Sequence, residues 1–248
     1  MNQFKLNCDK SKYIVIGNID RGMETVLEAR SIMKCKELTY LGFVLDNELK
    51  MSGQIDKISK SIGRTINALR YLKDNLSNTA LLKFFHAHIQ SNINYCSFAL
   101  LRCRQIDIER IQRLQSKALR IIFGLPDSYP SFELFTRVAK NILPVTGMIY
   151  MSALIMIKKC LQNIDNSLPK VSKLKSIRSR DLAICPAKKK ILCDDITHIG
   201  TKLYNLLPQD IKDERNFFRF KSLPKNFLLS RNESLIKSGQ FTAKNFYI

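Results

Sequence analysis

Four constellations in this chain have the residue types and spacing to do chemistry. Arg110, Arg113, Lys117 and Arg120 recur at steps of three, four and three. On a helix that spacing gathers four cations on one face, and cations in a row suit a phosphate backbone, where each neutralised phosphate releases a counterion. Asp194 and Asp195 are adjacent and flanked by apolar residues, the composition of a two-metal polymerase site. Such a site takes carboxylates from separate strands, whereas the residues after Asp195 have helical periodicity. One of the pair is therefore expected as a helix N-cap, worth about 1 kcal/mol. His86 and His88 form H-x-H, but i and i+2 on a helix point roughly 200° apart and do not share a metal. Lys188, Lys189 and Lys190 close a basic stretch, "NSLPKVSKLKSIRSRDLAICPAKKK", over residues 166–190. There is no Ser/His/Asp or Cys/His pairing and no glycine-rich phosphate loop.

The elements that would carry these residues follow from periodicity. Residues 1–50 read as β-rich, with strands expected at 12–17 and 38–46 and the latter, in "TYLGFVLDNEL", as a buried strand running into an Asp-Asn turn. Its only apparent partner is "KYIVIG", and two short strands alone are marginal in water. Helices are expected at 54–73 (Ile55, Ile58, Ile62, Ile66, Leu69, Leu72), at 78–95 from Ser77 or Asn78 (Leu81, Leu82, Phe85, Ile89) and at 106–123 (Ile111, Leu114, Ala118, Ile121). Gly124 and Pro126 are stop signals for the last. A short helix near 131–140 and a longer one near 145–162 follow, then the basic stretch as an exposed linker or loop. A final helix runs from Asp194 or Asp195 to before Pro208, and the tail from Asn232 lacks periodicity. The expected fold is α+β and predominantly helical. A β hairpin at 1–50 precedes a helical bundle at 51–165, a linker at 166–193 and a helical segment and tail at 194–248.

Bulk composition narrows the partners. The 248 residues are 45% hydrophobic and 25% charged, ordinary for a folded chain, but 41 Lys+Arg against 21 Asp+Glu leave a net charge of +20. That excess favours polyanions, nucleic acid first. Cys8, Cys35, Cys96, Cys103, Cys160, Cys185 and Cys193 are odd in number, widely spaced and without C-x-x-C, which points to reduced thiols in an intracellular protein rather than a disulfide or zinc framework. "ILPVTGMIYMSALIMI" (142–157) contains Pro144, Thr146, Gly147 and Ser152 and is too short for a membrane span, so a buried helix is expected.

The order "LNCDKSKYIVIG", "YLGFVLDNEL", "QSKALRII" and "YNLLPQDIK" resembles the C-terminal part of a jockey-type non-LTR retrotransposon reverse transcriptase, an RNA-directed DNA polymerase, over roughly residues 4–230. In that family a Y-x-D-D hairpin is followed by L-x-x-N-x-x-K-[ST], a Y-L-G strand, a helical thumb with Q-x-x-A-x-R and a late W-N-x-L-P-like element. Asn7, Lys10 and Ser11 match the second of these, although Leu6 is directly adjacent to Asn7. The resemblance implies that Lys10 is the lysine of polymerase motif D, which protonates the leaving pyrophosphate. It also implies that Tyr40, Leu41 and Gly42 form the palm strand that positions the primer end. Gln115, Ala118 and Arg120 match the thumb helix; Asn205, Leu207 and Pro208 match the late element, with Tyr204 in place of Trp.

The Y-x-D-D hairpin belongs ahead of Leu6 and is not in this sequence, nor are the other catalytic aspartate, the fingers or an endonuclease domain. Asp194-Asp195 lies on the wrong side of Lys10 and follows Leu192 where Tyr is expected. The resemblance thus implies a palm remnant and a thumb that bind RNA or an RNA–DNA duplex, with the missing polymerase portion as a possible partner. No cofactor is expected in this chain (Mg serves the intact family), no membrane contact, and a nuclear or cytoplasmic location. The alternative is a basic helical nucleic-acid-binding or interaction protein with no polymerase role. Primer extension by this chain on an RNA template with Mg²⁺ or Mn²⁺ is expected to give no product. Incorporation that disappears on Asp194→Ala/Asp195→Ala substitution would restore those aspartates as a metal site.

Overall fold

The computed structural model describes residues 10–16, 26–27, 30–162, 181–182 and 196–231. The fold is predominantly helical α+β, in two units, Met1–Lys57 and Ile58–Ile248. The first unit thus runs through Lys57, so the first turns of a long helix belong with the strands.

In the first unit the strands are short. β1 (Lys12–Tyr13) pairs in parallel with β4 (Met33–Lys34), and β2 (Val26–Leu27) pairs antiparallel with β3 (Arg30–Ser31). β5 (Glu37–Tyr40) and β6 (Phe43–Asp46) form an antiparallel hairpin with Tyr40 opposite Phe43 and Glu37 opposite Asp46. This corrects the expectation of one strand over 38–46 lying against 12–17. The chain reverses at Leu41-Gly42, whose φ values of 46° and 82° are both left-handed. Two left-handed residues in a two-residue loop match the right-handed twist of a hairpin, and glycine supplies the second without strain. The segment therefore pairs with itself. Only Phe43 and Val44 are buried in it. The Asp-Asn turn forms as expected: the Asp46 carboxylate accepts from the amides of Glu48 at 3.0 Å and Lys50 at 2.9 Å. Gln54, itself buried, accepts from Val44 N at 3.0 Å and ties the hairpin to the start of α1 (Ser52–Leu72).

In the second unit the helices sit close to where periodicity puts them. Along α1, Ile58, Ile62, Ile66 and Leu69 are buried. α2 (Asn78–Phe85) is capped by Ser77, whose hydroxyl accepts from Ala80 N at 3.3 Å. It continues through a π turn (His86–Gln90) into α3 (Ser91–Asn94), and a 3₁₀ helix (Ser97–Arg102) leads to α4 (Gln105–Phe123). α4 ends in a left-handed Gly124, with Leu125 N donating back to Arg120 O at 2.9 Å, a glycine-terminated close of the kind Gly124 predicts. α5 (Ser131–Glu133) and a π turn (Leu134–Val138) occupy the place of the short helix expected at 131–140.

α6 (Val145–Leu161) is the hub. It is apolar around most of its circumference and packs against α3, the 3₁₀ helix, α4 and the C-terminal helices. A helix with so wide an apolar surface must be largely buried, and Val145, Ala153, Leu154 and Ile157 are inaccessible to solvent. No helix among the described residues is long and apolar enough to cross a membrane. Beyond α7 (Ile196–Asn205) the chain adds α8 (Gln209–Asp213), α9 (Phe217–Phe220) and α10 (Leu223–Leu229). These last three correct the expectation that α7 is the final helix: each is too short to show a periodic pattern, and each is held by tertiary contacts instead.

Leucine at a left-handed φ carries strain that asparagine tolerates better. Leu41→Asn creates an Asn-Gly loop and is expected to stabilise the hairpin by about 1 kcal/mol. Hydrogen exchange of the amides in 37–46 should slow by roughly fivefold; unchanged or faster exchange would refute the strain at Leu41.

Candidate nucleic-acid interface

Why α4 presents cations at all is set by its opposite face. Ile108, Ile111, Gln115, Ala118, Leu119 and Ile122 are buried. Leu114 and Ile121, expected inside with Ile111 and Ala118, are only half-buried. The reason is Gln115. A polarity pattern assigns glutamine to the surface, but this one is fully buried. Its Nε2 donates to Leu143 O at 2.9 Å and lies 3.6 Å from Met148 Sδ. Its Oε1 accepts from Gln112 Nε2 at 3.1 Å, and Gln112 Oε1 in turn accepts from Val145 N at 2.7 Å. With Gln115 in the seam, the buried face rotates away from Leu114 and Ile121.

The basic residues then divide. Arg110 and Arg113 are exposed and Lys117 is half-exposed. Arg120 is different: Nε donates to Tyr129 O and the guanidinium's second arm to Ser131 Oγ, both at 2.9 Å. Ser131 Oγ also donates to Ser116 Oγ at 3.3 Å. Arg120 is thus a fork that holds the 129–131 segment against α4, so the structure brings three of the four stripe residues, not four, to an open face. Glu109 is exposed on the same helix and accepts from Gln105 Nε2 at 3.2 Å.

Other sequence-predicted residues are scattered. Lys10 is exposed in the first unit. Tyr40 and Leu41 are exposed to 62% and 76% at the hairpin tip, with Gly42 beside them in the turn, in place of the continuous palm strand expected there. Asn7, Lys188, Lys189, Lys190, Asp194 and Asp195 lie outside the described residues, as does most of the 166–193 linker. His86 and His88 are both exposed; His86 Nδ1 faces Gln90 Oε1, and the His88 ring lies tilted against Phe84 at 4.4 Å between ring centroids.

The late element is built into the core. Tyr204 and Leu207 are buried. Asn205 reads both backbone groups of Leu182, accepting from its N at 2.8 Å and donating to its O at 3.0 Å. Lys212, 6% exposed, donates to Asp181 Oδ1 at 2.7 Å and to Asn205 O at 2.8 Å. Lys158, 5% exposed, donates to Lys212 O at 3.3 Å.

Burial pushes the thiols of Cys96 and Cys160 up, and drives the Tyr150 phenol up strongly. Thiols held protonated are poor nucleophiles. Among the described residues no group of three or more His, Cys, Asp or Glu could hold a metal ion. What the described surface does offer is exposed cations on a rigid helix. Comparison with protein-family models, curated proteins and solved structures found no match.

Two sets of residues escape a sequence reading. Gln112 gives no signal, since a half-buried glutamine looks like any surface glutamine. Phe217, Phe218 and Lys221 do have one, the alternation of aromatics and cations in "NFFRFK" (216–221).

Arg120→Ala is expected to destabilise the second unit by about 1–3 kcal/mol, because it strips a charged donor from two acceptors. Arg120→Lys should recover only part of that, since an ammonium does not reproduce the fork. Arg113→Ala should leave the melting temperature unchanged. Equal effects at Arg113 and Arg120 in thermal denaturation would overturn the division.

Proposed function

We propose that this chain is the palm-remnant and thumb part of a non-LTR, jockey-type RNA-directed DNA polymerase and that it binds RNA or an RNA–DNA duplex through α4. The order of short motifs in the sequence supports the family. One structural observation carries the binding reading: α4 turns one face into the core and leaves Arg110, Arg113 and Lys117 outward along more than one turn of helix. A net charge of +20 raises the local concentration of any polyanion around that face. Contacts to phosphate carry no base identity, so the binding is indifferent to sequence. The two-metal chemistry of the family, with its Mg, belongs to the Y-x-D-D portion, and this chain's share is to hold the duplex.

The direct test is affinity for an RNA–DNA hybrid across a salt series. Affinity is expected to fall steeply with salt, as counterion release requires. Arg110→Glu/Arg113→Glu/Lys117→Glu should weaken binding to all sequences alike and flatten the log–log salt slope by roughly 0.9 for each phosphate no longer neutralised. Arg120 stays intact in this variant so that the fold is preserved. A folded triple variant that binds as tightly as the parent would remove α4 from the interface.

A further inference from the structure

The segment after α8 exposes an aromatic ring where a folded chain would normally hide one. Phe218 is 79% exposed, while Phe220, two residues on, is fully buried. Residues two apart on a helix point to opposite sides, so burying one side chain expels the other. Three contacts fix which ring goes out. Asn216 caps α9, accepting from Phe218 N at 2.9 Å and Arg219 N at 3.2 Å. Phe220 lies under Lys158, whose Nζ is 4.7 Å from the ring centroid. Gln162 Nε2 at the end of α6 donates to Arg215 O at 2.6 Å. The exposed ring is therefore presented from an anchored backbone.

The cations around it are dense. Residues 215–231 contain Arg215, Arg219, Lys221, Lys225 and Arg231 and no acidic residue. Lys221 Nζ is 4.9 Å from the Phe217 centroid and 5.5 Å from that of Phe218, and the two rings meet edge to face at 6.2 Å. Arg219 is exposed and 3.7 Å from Glu214, the acid that precedes the run.

We infer that Phe218 is a stacking platform for an unpaired nucleobase, with Lys221 and its basic neighbours receiving the flanking phosphates, so that 215–231 is a second, single-strand-selective nucleic-acid site. An open aromatic face beside long cationic side chains is the combination that holds single strands without reading sequence. A duplex keeps its bases stacked on each other and offers only phosphates to such a surface. A lipid surface fits less well: α9 has four residues and exposes one ring, whereas an interfacial helix lays down a continuous apolar face. The inference rests on the proposed nucleic-acid binding for its ligand class and adds to it a second site with a different strand preference.

The chain contains no tryptophan, so Phe218→Trp in the full chain places a single indole reporter at the platform. A short oligouridylate is expected to quench that emission, and an RNA–DNA duplex bound at α4 is not. Phe218→Ala should lower oligouridylate affinity by about tenfold while leaving duplex affinity as in the parent. Its circular dichroism should match too, because the ring is exposed. The Arg110→Glu/Arg113→Glu/Lys117→Glu variant should show the converse, weakened duplex binding with the quench kept. The platform is refuted if Phe218→Ala binds oligouridylate like the parent, or if the indole is unquenched while the strand is bound. Blue-shifted emission on phosphatidylserine vesicles without quenching by oligouridylate would assign the segment to lipid. If neither single strand nor duplex binds, both this site and the α4 reading fall.

Discussion

The second unit depends on a pair of amides. α6 is apolar around most of its circumference and largely buried, so the backbone groups that lead into it must be satisfied inside the protein. Gln112 and Gln115 of α4 do this, one taking the Val145 amide and the other donating to the Leu143 carbonyl. An unmade hydrogen bond at a buried backbone group costs about 1–3 kcal/mol. The clamp therefore sets the rotation of α4 about its own axis as well as its position. With Gln112 and Gln115 turned toward α6, Arg110, Arg113 and Lys117 are carried to the outer side of the helix. The exposed basic face of α4 is the geometric remainder of a packing requirement.

The motifs behind the polymerase resemblance take on a physical meaning in this light. Of Q-x-x-A-x-R, Gln115 and Ala118 are buried and Arg120 is a fork onto Tyr129 and Ser131. Gln115 and Arg120 hold helix to loop, and Ala118 fills the core. The late element behaves alike: Asn205 mimics a strand partner for Leu182, and Tyr204 and Leu207 fill the core. Short motifs of mixed apolar and polar residues are packing instructions here, with their polar groups spent on specific partners within the fold. Their neighbours Arg110, Arg113 and Lys117 are left at the surface.

This division explains what is legible in the sequence and what is not. α1, α2 and α4 can be read because long helices repeat their apolar residues often enough to be counted. Ser77 as a cap and Gly124 as a stop follow from local chemistry. The hairpin is hidden because the apolar run from Tyr40 to Leu45, broken only by Gly42, reads as one strand, and only the paired left-handed φ values at Leu41 and Gly42 disclose the reversal. Leu114 and Ile121 fall inside by periodicity alone because a buried glutamine breaks the rule that polarity marks the surface. α8, α9 and α10 escape since helices of four to seven residues hold no period, and their stability comes from partners far along the chain.

Net charge, finally, overstates and mislocates what a basic protein can offer. Lys158 and Lys212 are buried, the first over the Phe220 ring and on a carbonyl, the second on Asp181 and Asn205 O. Arg120 is committed to the 129–131 segment. Such cations shape the fold and meet no phosphate. They also decide where the exposed ones go: Lys158 and Phe220 together fix α9, and fixing α9 turns Phe218 and Lys221 outward. Buried and exposed cations thus act in series in this chain, the first holding the backbone that gives the second a direction. A count of lysines and arginines cannot separate them; the hydrogen-bond partner of each one can.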